Sequence, residues 1–223
     1  GNLGAHTVSF VPLSNGPRLL PSVYRLGAAY ARIRGVLTNT VPTGPYRGAG
    51  RPEAMHVIER LIDMAADEMG FDRIELRRQN LIGEDAFPAT NAMKTTYDCG
   101  EFEACLNKAL DLADWNGFEA RRAAALERGK LRGIGCASYI QAPVGAPVEF
   151  AAVTVKGDGT VEVPIGTQSS GQGHETVFPQ LVSALLGVPY DAIRIVTGDS
   201  DVVGIGGGSH SDRSMRIGGI VMR

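Results

Sequence analysis

The stretch Gly166-Thr-Gln-Ser-Ser-Gly-Gln-Gly-His-Glu-Thr176 decides how this chain is read. It has three glycines and almost no side chain able to pack a core. Before it, residues 153–163 (VTVKGDGTVEV) read as a hairpin, two alternating runs around Asp-Gly. After it, residues 177–187 (VFPQLVSALLG) carry Phe178, Val182, Leu185 and Leu186 on one helical face. A glycine loop running from a strand into a helix presents bare backbone N–H groups beside the positive end of the helix dipole. Such a place holds phosphate or a polar heterocycle. Gln172 adds a donor and an acceptor from one amide, and His174 and Glu175 fall in the first helical turn. For a single loop, a plain connection whose glycines only solve a turn is the competing reading.

Two further loops have the same character. Residues 198–219 (GDSDVVGIGGGSHSDRSMRIGG) place Gly206, Gly207 and Gly208 before Ser209, His210, Ser211, Asp212, Arg213 and Ser214. Hydroxyls, a guanidinium and bare backbone in one stretch suit a phosphate-bearing ligand. Residues 43–54 (TGPYRGAGRPEA) set Arg47 and Arg51 around Gly48, Ala49 and Gly50 at a helix start. Small residues leave room there, and two guanidiniums can fix an oxygen-rich group. An isolated arginine pair of this kind is more often a salt-bridged surface loop. The familiar nucleotide and catalytic motifs are absent: there is no Gly-Lys-Ser/Thr, and YRGAGRP does not continue as Gly-x-Gly-x-x-Gly, because that position is Glu53. There is no Gly-x-Ser-x-Gly elbow. His6, His56, His174 and His210 are far apart with no zinc spacing.

Outward from these loops, VYRLGAAYARIRGVLTN (23–39) has strand-like content, with Ala29, Ala31 and Ile33 at period two. Pro52-Glu53 opens a long helix with Met55, Ile58, Leu61, Ile62, Ala65 and Met69 on one face and Gly70 at its end. Asp72 caps a short helix after it, and residues 83–100 are a polar connection. Two helices follow, 101–115 and 117–129, the first with Phe102, Leu106, Ala109, Leu110 and Ala113 inward. Residues 131–140 (LRGIGCASYI) read as a buried strand and IRIVTGD (193–199) as another. Strands and helices mix without regular alternation, which predicts an α+β fold rather than a doubly wound sheet.

The 223 residues carry a formal net charge of −2, with 43% hydrophobic and 21% charged residues, a globular profile. Without a basic excess there is no electrostatic footprint for nucleic acid. No apolar run is long enough for a transmembrane segment, and no basic-then-apolar leader opens the chain. Cys99, Cys105 and Cys136 are read as reduced thiols, which points to a cytoplasmic setting. The chain starts without Met and stops at Arg223 in a continuing segment, so a fragment of a longer protein is expected.

Three segments in order carry a resemblance: PYRGAGRPEA (45–54), RRQNLI (77–82), and SSGQGHET (169–176) with Gly198-Asp199, GSHSDRS (208–214) and Gly218-Gly219 downstream. Together they resemble the large subunit of the molybdenum hydroxylases, the family of xanthine dehydrogenase, aldehyde oxidase and aerobic carbon monoxide dehydrogenase large chains. The resemblance covers essentially the whole chain. It implies part of a two-subdomain molybdopterin-binding region: residues 1–83 in the first subdomain and 84–223 in the second. It implies a molybdopterin cofactor with molybdenum, as the cytosine dinucleotide, lined by Gly48, Ala49, Gly50, Arg51, Gly171, Gln172, Gly173, His174 and Ser209 to Ser214. Arg47 matches an arginine that orients substrate.

The family's chemistry is hydroxylation of an aldehyde or N-heterocycle, with electrons leaving through an iron–sulfur small subunit and an FAD medium subunit, in a complex whose large subunits pair as a homodimer. Carbon monoxide dehydrogenases carry a copper-binding Cys after Tyr-Arg, where this chain has Gly48. No protein metal ligand and no carbon monoxide oxidation are therefore expected, true carbon monoxide oxidation being the alternative. The family's catalytic Glu and an upstream cofactor loop are expected outside the chain, and neither Glu149 nor Glu175 matches that Glu. The 223 residues alone are expected to be catalytically silent and to hold no cofactor.

Overall fold

The computed structural model describes residues 8–143, 145 and 147–223. The opening run with His6 lies outside the described residues. The chain divides into two compact units, 1–141 and 142–223.

The first unit is mainly helical: α1 (Val11–Arg18), α2 (Arg51–Met69), α3 (Arg73–Asn80), α4 (Phe102–Leu112) and α5 (Phe118–Glu127), with a two-strand ribbon of β1 (Ala89–Thr90) and β2 (Thr96–Tyr97). The ribbon falls inside the stretch read as a polar connection. Helix α2 ends at Gly70, whose φ of 72° is the left-handed conformation glycine supplies without a Cβ penalty. Its buried face is Ala54, Met55, Glu59 and Ala66; Leu61 and Met69, expected inward, are exposed. Asp72 caps α3 as expected, its Oδ1 accepting from the N–H groups of Ile74 and Glu75 at 2.8 Å each. The core joins Val23, Tyr24, Ile74, Leu81 and Leu106, with Ile58, Ile62, Phe102, Leu110, Cys136 and Ile140 half-buried around it. Through this core runs a charge network. Glu59 accepts from the Tyr24 hydroxyl at 2.6 Å and from Arg77 Nε at 2.8 Å. Asp63 Oδ1 lies 2.9 Å from Arg77 Nη1, a charge contact without an aligned hydrogen bond.

Two strand expectations fail in this unit. Only Tyr24 bridges Leu81; residues 25–45 form no strand, and Tyr30 is 86% exposed. Residues 131–140 are extended but not a buried strand: Leu131 is exposed, while Ile134, Cys136, Ser138 and Ile140 are half-buried at period two. Alternation needs a neighbouring strand to become a sheet, and none lies beside either segment among the described residues.

The second unit is a three-stranded sheet in the order β3 (Thr154–Val155), β4 (Val161–Pro164), β5 (Ile193–Val196), with α6 (His174–Leu186) between β4 and β5 in sequence. β3 and β4 form the expected hairpin, antiparallel, turning at Gly159 with φ 85°. β4 and β5 are parallel, so the connection through α6 is a local β–α–β crossover inside the α+β fold. Val161, Val163, Ile165, Phe178, Val182 and Met222 make the core. Helix α6 starts at His174 and runs through Pro179, whose missing N–H removes one helical hydrogen bond. A π-helical turn, Ser214–Gly218, and a short α7 (Gly219–Val221) close the chain.

Candidate functional site

In a parallel β–α–β arrangement the loops leaving the carboxyl ends of the strands are the natural ligand edge. Loop 165–173 leaves β4 and loop 197–213 leaves β5, so both glycine-rich stretches emerge at that edge. Thr167, fully buried, ties them: its Oγ1 lies 2.9 Å from Ser209 Oγ and 2.7 Å from Ser214 Oγ, and the two serines are 3.1 Å apart. The Thr167 carbonyl lies 3.1 Å from His174 Nδ1. A carbonyl only accepts, so Nδ1 carries the proton and Nε2 is left as an acceptor. The imidazole also packs on Phe178, ring centres 4.8 Å apart. Around this junction lies an open cavity of about 440 Å³, walled by Gln172, His174 and Phe178 on one side and Ser209–Asp212, Ser214 and Met215 on the other. Gln172 Oε1 accepts from Ser170 N at 2.5 Å, which leaves its NH₂ group to donate outward.

The loop 206–214 is held from beneath. Arg213, fully buried, donates from Nη1 to Glu149 Oε2 at 2.5 Å and to Gly208 O at 2.7 Å, and from Nη2 to Val148 O at 2.8 Å. Glu149 also accepts from Gly207 N at 3.3 Å and Phe150 N at 3.0 Å. The glycines here serve close packing: a Cβ on Gly166 would come within 2.3 Å of both Gly206 Cα and Glu149 Oε1, and one on Gly207 within 2.3 Å of the Arg213 guanidinium. His210 Nε2 donates to Gly207 O at 3.1 Å, so its Nδ1 accepts from Ser211 Oγ at 3.0 Å. Ser211 and Asp212 both have left-handed φ, 55° and 61°, strain of the kind that collects at ligand sites.

Of the residues expected in this unit, Gln172, His174, Ser209, His210, Ser211, Asp212 and Ser214 share one cavity. Gly171 and Gly173 supply left-handed backbone, φ 107° and 76°, with open space where a side chain would stand. Arg213 lies behind the loop rather than in the cavity wall. Thr167 and Met215 were not singled out in the sequence; Phe178 was read only as a helix-face residue, and Glu149 only as a carboxylate that does not match the family's catalytic Glu. Nothing local marks Glu149 as the partner of an arginine 64 positions away.

In the first unit, Gly48, Ala49 and Gly50 are three successive left-handed residues, φ 81°, 49° and 94°. Gly50 is wedged on α1: a Cβ there would come within 2.0 Å of Pro12 O. A Cβ on Gly48 would come within 2.7 Å of the Pro52 ring and 2.8 Å of the Tyr139 hydroxyl. Arg47 and Tyr46 are exposed, while Arg51 is only 4% exposed and donates from Nη1 to Gly48 O at 3.0 Å. Nearby, burial pushes the Cys136 thiol up, with Arg77 partly opposing, so it stays protonated and is a poor metal ligand. No three His, Cys, Asp or Glu side chains among the described residues are grouped to hold a metal ion. Loops 165–173 and 197–214 offer amide, hydroxyl and imidazole groups beside bare backbone, and loop 46–50 adds the exposed Arg47 guanidinium. Such groups fit a ligand held through its organic and phosphate parts.

A family model described as "Molybdopterin cofactor-binding domain" matches residues 108–221, and a second of the same description matches residues 1–81. The chain is 30% identical over 212 residues to the carbon monoxide dehydrogenase large chain of Hydrogenophaga pseudoflava, covering 88% of this chain and 26% of that one. It is 35% identical over 194 residues to the xanthine dehydrogenase molybdenum-binding subunit of Escherichia coli O157:H7, covering 83% and 25% respectively. Among solved structures, quinoline 2-oxidoreductase from Pseudomonas putida 86 superposes with a TM-score of 0.82 at 29% identity, over 96% of this chain and 30% of that one. The chain thus spans about a quarter of the length of the curated relatives it matches.

Proposed function

We propose, since this chain belongs to the molybdopterin cofactor-binding domain family, that it walls a molybdopterin site in the large subunit of a hydroxylase acting on aldehydes or N-heterocycles. One observation carries the reading: Thr167 brings two glycine-rich loops, distant in sequence, to one cavity at the carboxyl edge of a parallel strand pair. The relatives' names, a large chain and a molybdenum-binding subunit, support the same class. Bound molybdopterin supplies a two-electron redox and oxygen-transfer centre.

The protein's own part is to hold and orient. Gln172 offers its NH₂ group, His174 an acceptor, and Ser209, Ser211 and Ser214 hydroxyls, toward the pterin and its phosphate region. His210 and Asp212 complete that wall, Gly171 and Gly173 keep it open, and Arg213 fixes its shape. Gly48, Ala49, Gly50 and Arg51 form the other cofactor-facing loop, and exposed Arg47 orients the substrate. Residues 1–83 belong to the first molybdopterin-binding subdomain and 84–223 to the second. We assign the cytosine dinucleotide form, iron–sulfur and FAD partner subunits, a homodimer of large subunits and a cytoplasmic setting on the family likeness. No helix among the described residues is long and apolar enough to cross a membrane. Alone, the 223 residues are catalytically silent.

Carbon monoxide as substrate is disfavoured at Gly48, where a left-handed backbone and the Pro52 ring exclude the side chain a copper thiolate needs. The test is elemental analysis of the complex purified from its own host. Molybdenum without copper is the expected result. One copper per molybdenum restores carbon monoxide oxidation, and absence of molybdenum removes the reading altogether.

A further inference from the structure

Tyr139 meets the loop that leads into α2. A Cβ on Gly48 would come within 2.8 Å of the Tyr139 hydroxyl and 2.7 Å of the Pro52 ring, so the phenol stands in the space a side chain at position 48 would fill. Tyr139 and Pro52 are also two walls of an open cavity of about 370 Å³ within the first unit, whose other walls include Met55, His56 and Ala137. That volume falls at the small end of ligand pockets, the size for a one- or two-ring molecule. Two polar groups at the cavity are already committed: Glu59 accepts from Tyr24 and Arg77, and burial keeps the Cys136 thiol protonated. Tyr139 is not committed in this way. It is 49% exposed, and its hydroxyl donates to Gln141 Oε1 at 3.0 Å, an amide that is itself exposed. Such a bond is readily exchanged for one to a ligand, since one solvent-exposed partner replaces another.

We propose that Tyr139 is a substrate-binding residue: its phenol O–H donates to the acceptor atom, a ring nitrogen or a carbonyl oxygen, of a flat one- or two-ring substrate seated in this cavity. The proposal rests on Arg47 and its loop facing the substrate. Of the cavity's polar side chains, Tyr139 is the one in contact with position 48, next to Arg47, so a ring held by the phenol lies beside that loop. The apolar walls from Pro52, Met55 and Ala137 suit the ring faces, and the hydroxyl fixes which edge turns toward the loop. Glycine at position 48 then leaves room for the phenol as well as for the left-handed turn.

The complex purified from its own host is titrated calorimetrically, without an electron acceptor, with quinoline and separately with naphthalene, which has the same shape and no acceptor atom. Tyr139→Phe is expected to weaken quinoline binding about tenfold and to leave naphthalene binding within about twofold, the loss of one hydrogen bond and nothing else. Its Tm stays at the wild-type value, because the phenol bonds only an exposed amide. Equal weakening of both ligands makes Tyr139 a packing residue and overturns the proposal. Quinoline binding that Tyr139→Phe leaves unchanged overturns it too, as does a wild type that binds no quinoline. Molybdenum content is measured on the same samples. Molybdenum without a Tyr139 effect takes the phenol out of the substrate's path and keeps the cofactor reading. A Tyr139 effect without molybdenum supports the ring site and removes the cofactor reading.

Discussion

Glu149 and Arg213 meet at 2.5 Å with both side chains at zero solvent exposure. They join the strand edge before β3 to the loop that walls the cavity. Such a pair is costly to break from one side, because the survivor is left charged in a dry place. Glu149→Ala is expected to lower unfolding free energy by about 3–5 kcal/mol. The double variant Glu149→Leu with Arg213→Met recovers most of that loss. Urea denaturation measures both, and additive losses in the double variant would contradict the pairing.

Gly48→Ala is expected to destabilise by about 1–3 kcal/mol, because it forces a side chain into a left-handed backbone against the Pro52 ring. Gly70→Ala has the same backbone penalty with open space around it and costs less. Thermal melts of the two variants side by side separate strain from collision.

Arg47→Ala leaves molybdenum content and Tm at wild-type levels, since the side chain is exposed and makes no hydrogen bond or ion pair among the described residues. In the intact enzyme, kcat/KM falls by about 10²-fold or more, the loss typical of a misplaced substrate. Unchanged kcat/KM with molybdenum retained removes Arg47 from the substrate's path.

The Tyr24 phenol is pushed above its ordinary value of 10.0, first by burial and then by its bond to Glu59. A group held protonated in the folded chain stabilises it fully below the unfolded pKa and loses that contribution as pH rises past it. Unfolding free energy is therefore expected to drop between pH 9 and about 11. Tyr24→Phe, which has no proton to lose, has a flatter profile over the same range. Parallel slopes for the two proteins would rule Tyr24 out.

The parts legible in the sequence are those set by near neighbours. Asp72 caps α3 through N–H groups two and three residues on, and the hairpin at Gly159 is written in its own turn. The loop 165–173 is recognisable because a strand pattern and a helix pattern frame it. What stays hidden depends on distant partners. The alternation of residues 131–140 is real, with every second residue half-buried from Ile134, yet no strand lies beside it among the described residues. The buried face of α2 turns toward Glu59 because Tyr24 and Arg77 need a carboxylate, which an apolar count along the helix does not register. Arg213 likewise reads as a phosphate ligand until its partner Glu149 is seen.

Residues 27–35 have one more consequence. They are extended, run no backbone ladder with another segment among the described residues, and turn Tyr30 and Ile33 outward. Such a strip is a template: at the crowding of an overexpressing cell it recruits extended chain from neighbouring copies. Arg32 and Arg34 act as gatekeepers that slow this recruitment by mutual repulsion. Replacing Tyr30 with a charged residue should therefore raise soluble yield more than any change in the buried cores.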